Sequence, residues 1–511
     1  MRRWQLCGLA ALGVAPAWAQ VEGAEAPAEA AAGAGHLLQP RLAVTETFTN
    51  NVYPASGGRQ VSDQVTMISP GVRLLANQGR LTGFLDYGLN GIYRAQGSAG
   101  DSLQQLLNAS GNFNAYENRA FIDMSATSSQ QSISAFGAPA GVIPGGPNQT
   151  QVTTWRVSPY ARGLLPGGLS YEARYFAQGV QTATGQRPNS ETQGWSAQLG
   201  SQAAGRLLGW SVDASQQTTS FNGQPAYQFD TLRASLSHPF TSQLSATATL
   251  GTEANDLGTG RKSHDNYGIG AVWRPSDRTT FSADVMERYF GTGYDVSLEQ
   301  RGARTVWRYT ASRNAMTAPT ATTASLGNLY DLLDNYYRSF EPDPLRRAAL
   351  VQAELQKSGL PADLQVRQNL LSSTLTLRES QQLSLMLLGQ RDTLTLLLNR
   401  GSVSRLQANP LLPSDQLDDL ANLGTIKSKG WSAVYAHRLT PLSTLTATWS
   451  SLHNESTATA ANSTTRLLTL SLGTSLSPRS SATLTFRRGL YERLGTSGAE
   501  SALSANLTLW F

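Results

Sequence analysis

The stretch Ser501-Ala-Leu-Ser-Ala-Asn-Leu-Thr-Leu-Trp-Phe511 decides the fold. Leu503, Ala505, Leu507, Leu509 and Phe511 occupy every second position, with small or polar residues between them until Trp510. Successive side chains of a strand point to opposite faces, so this segment has one oily face. A strand of roughly 9–11 residues crosses a bilayer when tilted.

The same alternation recurs from about Arg41 to the end. In Arg80–Tyr93 the odd positions are Leu81, Gly83, Leu85, Tyr87, Leu89, Gly91 and Tyr93, against Arg80, Thr82, Asp86 and Asn90. Phe84 and Ile92 are exceptions. Leu244–Leu250, Thr444–Trp449 and Ala482–Phe486 repeat the theme. Many such segments in series predict an all-β, transmembrane antiparallel outer-membrane β-barrel of about 22 strands, within a range of 18–24. The count is open because residues 370–388 read as one long strand or two short ones. Leu507, Leu509 and the terminal Phe511 resemble the assembly signal presented to the barrel-assembly machinery of the outer membrane.

The other end of the chain agrees. Met1-Arg-Arg is a positive start, Leu6 to Val14 a short apolar run, and Ala17-Trp18-Ala19 a small-x-small cleavage site. Residues 1–19 are thus expected to be a secretory signal peptide, with cleavage set by Ala17 and Ala19. Leu6-Cys7-Gly8 is part of a lipobox, but it precedes most of the apolar run. Cleavage removes Cys7, the one cysteine, so stability must come from something other than disulfides. Residues 20–38 are Ala/Glu/Gly-rich and aromatic-free, a flexible lead-in to a barrel at 39–511.

Composition narrows the class. Charged residues are 15% of the 511, against about 25% for soluble domains. Mean hydropathy is −0.27, and no long apolar run follows the leader, which excludes a helical membrane protein. Without Arg2 and Arg3 the chain is close to neutral, so nucleic acid is not an expected partner. The expected partners are outer-membrane lipid and lipopolysaccharide. The expected location is the outer membrane of a Gram-negative bacterium, with both termini periplasmic.

Connections alternate in length, as in barrels with short periplasmic turns and long outer loops. Short ones include Asn77-Gln-Gly79, Tyr116–Arg119, Ala203-Ala-Gly205, Arg274–Arg278, Arg301–Arg304, Gly389–Asp392 and Ser477–Ser480. Longer stretches fall near 50–63, 131–150, 180–192, 254–264, 404–427 and 491–500. Trp155, Trp195, Trp210, Trp273, Trp307, Trp431, Trp449 and Trp510 are candidates for interfacial girdles.

One segment departs from the β pattern. Leu329, Leu332, Leu333, Tyr336, Tyr337 and Phe340 recur at helical spacing. Asp343, Pro344, Gly359 and Pro361 punctuate a second helix. This predicts a helical insert at 326–362 in an outer loop, folded either into the lumen or over the rim. Tyr330, Tyr336 and Tyr337 offer sugar-stacking faces in the first case and simple helix packing in the second.

Several short motifs carry a resemblance. Thr45-Glu-Thr-Phe-Thr-Asn-Asn-Val52, Ser69-Pro-Gly71, Leu85-Asp-Tyr87, Glu287-Arg-Tyr-Phe-Gly291 with Trp307, Asp343-Pro344 and Gly389-Gln-Arg-Asp-Thr393 are similar to the PEP-CTERM-system-associated outer-membrane protein family. The resemblance spans the mature chain. It implies an outer-membrane barrel in bacteria with exosortase sorting and exopolysaccharide production. It implies possible partners in exopolysaccharide or its export proteins, and it brings no catalytic residues or cofactors.

Chemistry is sparse. Gly100-Asp-Ser-Leu103 spells the nucleophile block of GDSL hydrolases, but no histidine among His36, His238, His264, His437 and His453 follows an aspartate by three residues. The histidines have no metal-ligand spacing, and His264-Asp265 and His453-Asn454 read as loop residues. Gly291-Thr-Gly293 reads as a tight turn, not a phosphate loop. The leading expectation is a non-enzymatic channel or export component. The alternatives are a closed anchoring barrel and, third, an outer-membrane hydrolase using Ser102. Oligomeric state is not legible.

Overall fold

The computed structural model describes residues 36–53, 60–97, 100–137, 146, 148–183, 189–201, 208–221, 226–257, 260–316, 322–324, 368–370, 375–406, 419–420 and 424–511. The strands begin β1 (His36–Thr49), β2 (Asp63–Gln78), β3 (Leu81–Arg94), β4 (Ser102–Tyr116), β5 (Ala120–Ser132), β6 (Gln149–Leu165), β7 (Leu169–Thr182) and β8 (Ser190–Ser201). They continue as β9 (Gly209–Phe221), β10 (Tyr227–Pro239), β11 (Leu244–Asp256), β12 (Arg261–Ser276), β13 (Thr279–Arg288), β14 (Gly291–Arg301) and β15 (Thr305–Met316). Short β16 (Thr322–Ala324) and β17 (Gln368–Leu370) pair only with each other. Then come β18 (Thr376–Leu388), β19 (Asp392–Arg405), β20 (Ile426–Arg438), β21 (Ser443–Ser456), β22 (Asn462–Ser477), β23 (Ser480–Arg493) and β24 (Thr496–Trp510).

All but β16 and β17 form one 22-stranded sheet. Sequence neighbours pair antiparallel, β15 passes directly to β18, and β1 pairs with β24 from Arg41↔Trp510 to Thr49↔Ala502. The sheet therefore has no free edge, and every wall strand has a hydrogen-bonded neighbour on both sides. Strands about 4.8 Å apart and tilted by about 40° make a ring about 40 Å across. Both ends of the wall lie at the short-turn end of the ring.

Register carries two faces round the whole wall. Leu503, Ala505 and Leu507 sit opposite Phe48, Glu46 and Val44 on one side, and opposite Phe486, Leu484 and Ala482 on the other. This face bears the exposed apolar residues, among them Ile269 at 71% and Leu250 at 67% exposure. So much bare apolar surface is unfavourable in water and suited to lipid. Trp155, Trp195, Trp210, Trp273, Trp307, Trp431 and Trp449 share it by register; Trp510, opposite Arg41, has the inward parity. Phe84 and Ile92 also fall inward, which explains their break in the alternation.

The structure corrects several boundaries. Residues 376–388 are one strand, so the open reading of 370–388 resolves to a single wall element. The expected long loop at 491–500 is a two-residue turn, Leu494-Gly495, both at positive φ. The stretch at 254–264 is mostly strand, because β11 runs to Asp256 and β12 starts at Arg261. His264-Asp265 and His453-Asn454 are strand residues, not loop residues. β1 begins at His36, so residues 36–38 of the expected lead-in are strand. At 254–264, 453–454 and 491–500 the strands run past the apolar belt, and their polar long-loop ends carry no hydrophobic alternation. The turn at 203–205, the insert at 326–362 and the leader at 1–19 lie outside the described residues.

Candidate functional site

The motif Thr45–Val52 is the closing seam. Thr45 Oγ1 accepts from Asn506 at 2.8 Å, and the Thr47 and Ser504 hydroxyls lie 2.8 Å apart. The Thr49 hydroxyl donates to Glu500 at 3.1 Å, and Asn51 donates to the Ala499 carbonyl at 2.9 Å. Glu500 is fully buried and accepts from Arg487 through Nη2 at 2.6 Å and Nε at 3.2 Å. The odd positions of a threonine-rich strand thus bind β24 on the inner face, while Val44 and Phe48 face outward.

A second inner cluster joins two further motifs. Asp86 lies between Arg41, at 2.7 Å, and Arg73, at 3.0 Å. Arg41 reaches it from β1 across β2, passing over Gly71 and Gly88, which pair with each other. A Cβ on Gly71 would stand 2.7 Å from Arg41 Nε and 2.8 Å from the Tyr87 carbonyl oxygen. Glycine is required there by close approach, not by backbone angle. The Ser69-Pro-Gly71 and Leu85-Asp-Tyr87 motifs therefore build one ion cluster.

Elsewhere the inner face repeats this chemistry. Arg174 bonds Asp123 at 2.8 Å and Glu172 at 3.1 Å and lies over the Tyr160 ring at 3.8 Å. Glu253 is held by Arg233 and by Arg288, the latter at 2.7 Å. A cavity of about 220 Å³ opens beside this cluster, lined by Gln217, Phe229, Arg233, Glu253, Arg288 and Tyr289. Burial pushes the phenol of Tyr289, in the turn after β13, above its ordinary range. From β15 through β18–β22 the inward positions carry Arg308, Arg378, Arg405 and Arg438 and no carboxylate. Arg405 is the sharpest of these: its shielded Nε and Nη2 have no hydrogen-bond partner.

The long-loop end of the ring is crossed by its own connections. Asp419 accepts from the Ser134 hydroxyl and the Ala135 amide, each at 2.8 Å, and Asn454 donates to the Ala135 carbonyl at 2.7 Å. Phe136, Leu420 and Ile426 pack together beside them. These residues come from β5–β6 and from β19–β21, distant sectors of the wall that meet only across the opening. Phe221, Tyr227, Phe229 and Leu375 form a second such cluster, from β9–β10 and the approach to β18. The short strand β17 also lies against β5. The lumen is wide at the wall and narrowed at this end.

The residues singled out in the sequence are distributed as follows. Leu507 and Leu509 face outward from β24, and the Phe511 amide donates to Pro40 at 3.0 Å. Tyr330, Tyr336, Tyr337, Ala17 and Ala19 lie outside the described residues. Ser102 opens β4 rather than lying in a loop, and its hydroxyl has no hydrogen-bond partner. A serine nucleophile needs a base within hydrogen-bond reach, and among the described residues Ser102 has none. His437 meets Asp392 at 2.7 Å, His453 meets Thr464 at 2.9 Å, and His238 stacks edge-on with Phe240. Among the described residues no group of three His, Cys, Asp or Glu is placed to hold a metal. Gly291 follows the two-residue Tyr289-Phe290 turn at φ 89° and starts β14. The seam, the Arg41–Asp86 cluster and the mouth contacts were not anticipated. Their partners are far apart in the chain, and periodicity does not report pairing.

These observations define the class: a closed, lipid-facing β-barrel with a charged polar lumen, the architecture of outer-membrane barrels. No protein-family model and no curated protein matches the sequence. Among solved structures, the chain is similar to the FrpB iron transporter from Neisseria meningitidis. The F3-3 variant gives a TM-score of 0.51 at 10% identity, covering 93% of this chain and 82% of that one. The F5-1 variant gives 0.50 at 10% identity, with the same coverages. At this identity the likeness shows the fold, a 22-stranded outer-membrane barrel.

Proposed function

We propose that this chain is a non-enzymatic outer-membrane channel or export component of a Gram-negative bacterium, with both termini periplasmic and a lumen suited to polar, net-anionic material. The observation that carries this reading is the inner wall from β15 to β22, where Arg308, Arg378, Arg405 and Arg438 face the lumen without an inward carboxylate. Unopposed positive charge inside a low-dielectric wall concentrates anions. Exopolysaccharide is the cargo we favour, on the strength of the motif resemblance to a family from exopolysaccharide-producing bacteria. An iron complex is the competing cargo, suggested by the FrpB description.

The test is a chromosomal deletion scored for polymer by compartment. Polymer retained in the periplasm supports the proposal, and normal surface polymer counts against it. A second reading, an anchoring barrel that binds envelope polymer or protein without passing it, draws on the loops that meet across the mouth. Its mark is a lumen that stays blocked while an envelope partner co-purifies.

A further inference from the structure

The cations of the outer face are concentrated in one sector of the wall. By register the outward Lys and Arg residues of the strands are Arg261, Arg313, Arg400, Lys427, Lys429, Arg466 and Arg488. Strands β1–β9 contribute none, and at comparable positions they carry Gln105, Gln130, Gln151, Gln181 and Gln193. Five of the cations fall in β19–β23. Arg261 is paired with Asp230 at 2.6 Å, and Arg313 donates to the Thr292 carbonyl.

Within β19–β23 the arrangement is only partly self-neutralised: Glu455 stands opposite Lys427 and 4.0 Å from His453, and no carboxylate stands opposite Arg400 or Lys429. Arg400 stands directly opposite Lys429, and Lys429 directly opposite His453, in one row across three strands. Like charges directly opposed on one face of a sheet destabilise it. Arg466 alone of the five has a carboxylate partner, Glu492 at 3.2 Å; Arg488 donates to the Ser501 hydroxyl. Arg400, Lys427 and Lys429 are exposed and have no ion-pair partner among the described residues.

Their height on the wall identifies the missing counter-charge. Arg400, Lys429, Arg466 and Arg488 each stand two residues beyond an outward apolar side chain: Leu398, Trp431, Leu468 and Phe486 respectively. Trp431 and Trp449 form an edge-to-face pair at 4.8 Å on the same boundary. The cations thus mark the upper edge of the lipid belt, on the side of the long loops. A group there must place acyl chains against the belt and anions one step higher.

We infer that Arg400, Lys429 and Arg488, with Lys427 and Arg466 around them, form a binding site for the phosphate groups of a phosphorylated glycolipid of the outer leaflet. The lipid's acyl chains lie along Leu398, Trp431, Trp449 and Leu468, and a phosphate bridges the opposed Arg400 and Lys429. The assignment rests on the orientation proposed above. Orientation is scored separately, by labelling a cysteine placed at Thr459 in the β21–β22 turn with a membrane-impermeant reagent on whole cells.

The experiment is native mass spectrometry of the full mature chain in detergent, titrated with diphosphoryl lipid A or with the same lipid after enzymatic dephosphorylation. One diphosphoryl lipid is expected to be retained, in a salt-sensitive manner, and the dephosphorylated form to bind at least about tenfold more weakly. R400Q/K429Q is expected to lose the phosphate preference while R261Q keeps it. Equal retention by R400Q/K429Q and wild type, or equal retention of both lipids, overturns the assignment. If the double variant does not fold by heat-modifiable migration, the single K429Q and the salt series on wild type decide the matter. Salt-insensitive binding then overturns it.

Discussion

Arg41 reaches from the first strand across the second to Asp86 on the third, at 2.7 Å, and Arg73, directly opposite on the second strand, closes on the same carboxylate at 3.0 Å. Arg41 and Asp86 are largely buried, so neither is satisfied by bulk water. Breaking a buried pair strands the remaining charge. Asp86→Ala is therefore expected to cost about 3–5 kcal/mol, read as a lower urea midpoint for the chain folded into lipid. An unchanged midpoint would show that lumen water solvates both arginines.

Gly71→Val acts on the same cluster by a different route. Its new Cβ meets Arg41 Nε and the Tyr87 carbonyl within 3 Å, so the guanidinium must leave Asp86 or β2 must shift. Effects that pass through one shared contact are not additive. The double variant with Asp86→Ala should thus lose less stability than the sum of the two singles. Strict additivity would separate the glycine from the ion cluster.

At the seam, Glu500→Ala removes the acceptor of Arg487 and Thr49 on the strand that closes the ring. Closure is the step that abolishes the sheet edges. The temperature at which the compact band converts to the unfolded one on a gel should fall, and Glu500→Gln should restore part of the loss. Wild-type behaviour of Glu500→Ala would remove the seam from the stability account.

Much of this architecture is legible in the sequence, and the boundary of legibility has a physical cause. Leu503, Leu507 and Leu509 alternate because lipid selects only one face, so the crossing parts of strands such as β24 and β3 are readable. The wall strands themselves run from 10 residues in β13 to 17 in β6, most of them longer than the crossing. Their long-loop ends, such as Thr496–Gly498 and the His453-Asn454 pair, lie beyond the lipid belt, carry polar residues on both faces and read as loop. Pairing distance sets a second limit. Arg41 finds Asp86 across 45 residues and Ser134 finds Asp419 across 285, and no local pattern encodes either. The polar lumen was expected from barrel logic, but its charge asymmetry needed the register.

That asymmetry gives a direct expectation. In planar bilayers under a salt gradient the wild-type reversal potential should report anion preference. Arg308→Gln with Arg405→Gln, on β15 and β19, should move it toward zero without changing the fold. A cation-selective wild type would contradict the reading of the lumen.

The mouth can be loosened at one residue. Asp419→Ala removes the acceptor shared by Ser134 and Ala135 and frees the contact beside Phe136 and Leu420. Conductance steps should become more frequent or larger. Unaltered traces would place the constriction elsewhere, with the β15–β18 connection next to be tested.

The measurement that bears most directly on the channel account is single-channel conductance of the refolded mature protein, with and without residues 326–362, after heat-modifiable migration confirms the fold. The account predicts discrete anion-selective steps that grow on deletion. Silence in both folded forms would contradict it and favour a closed anchoring barrel.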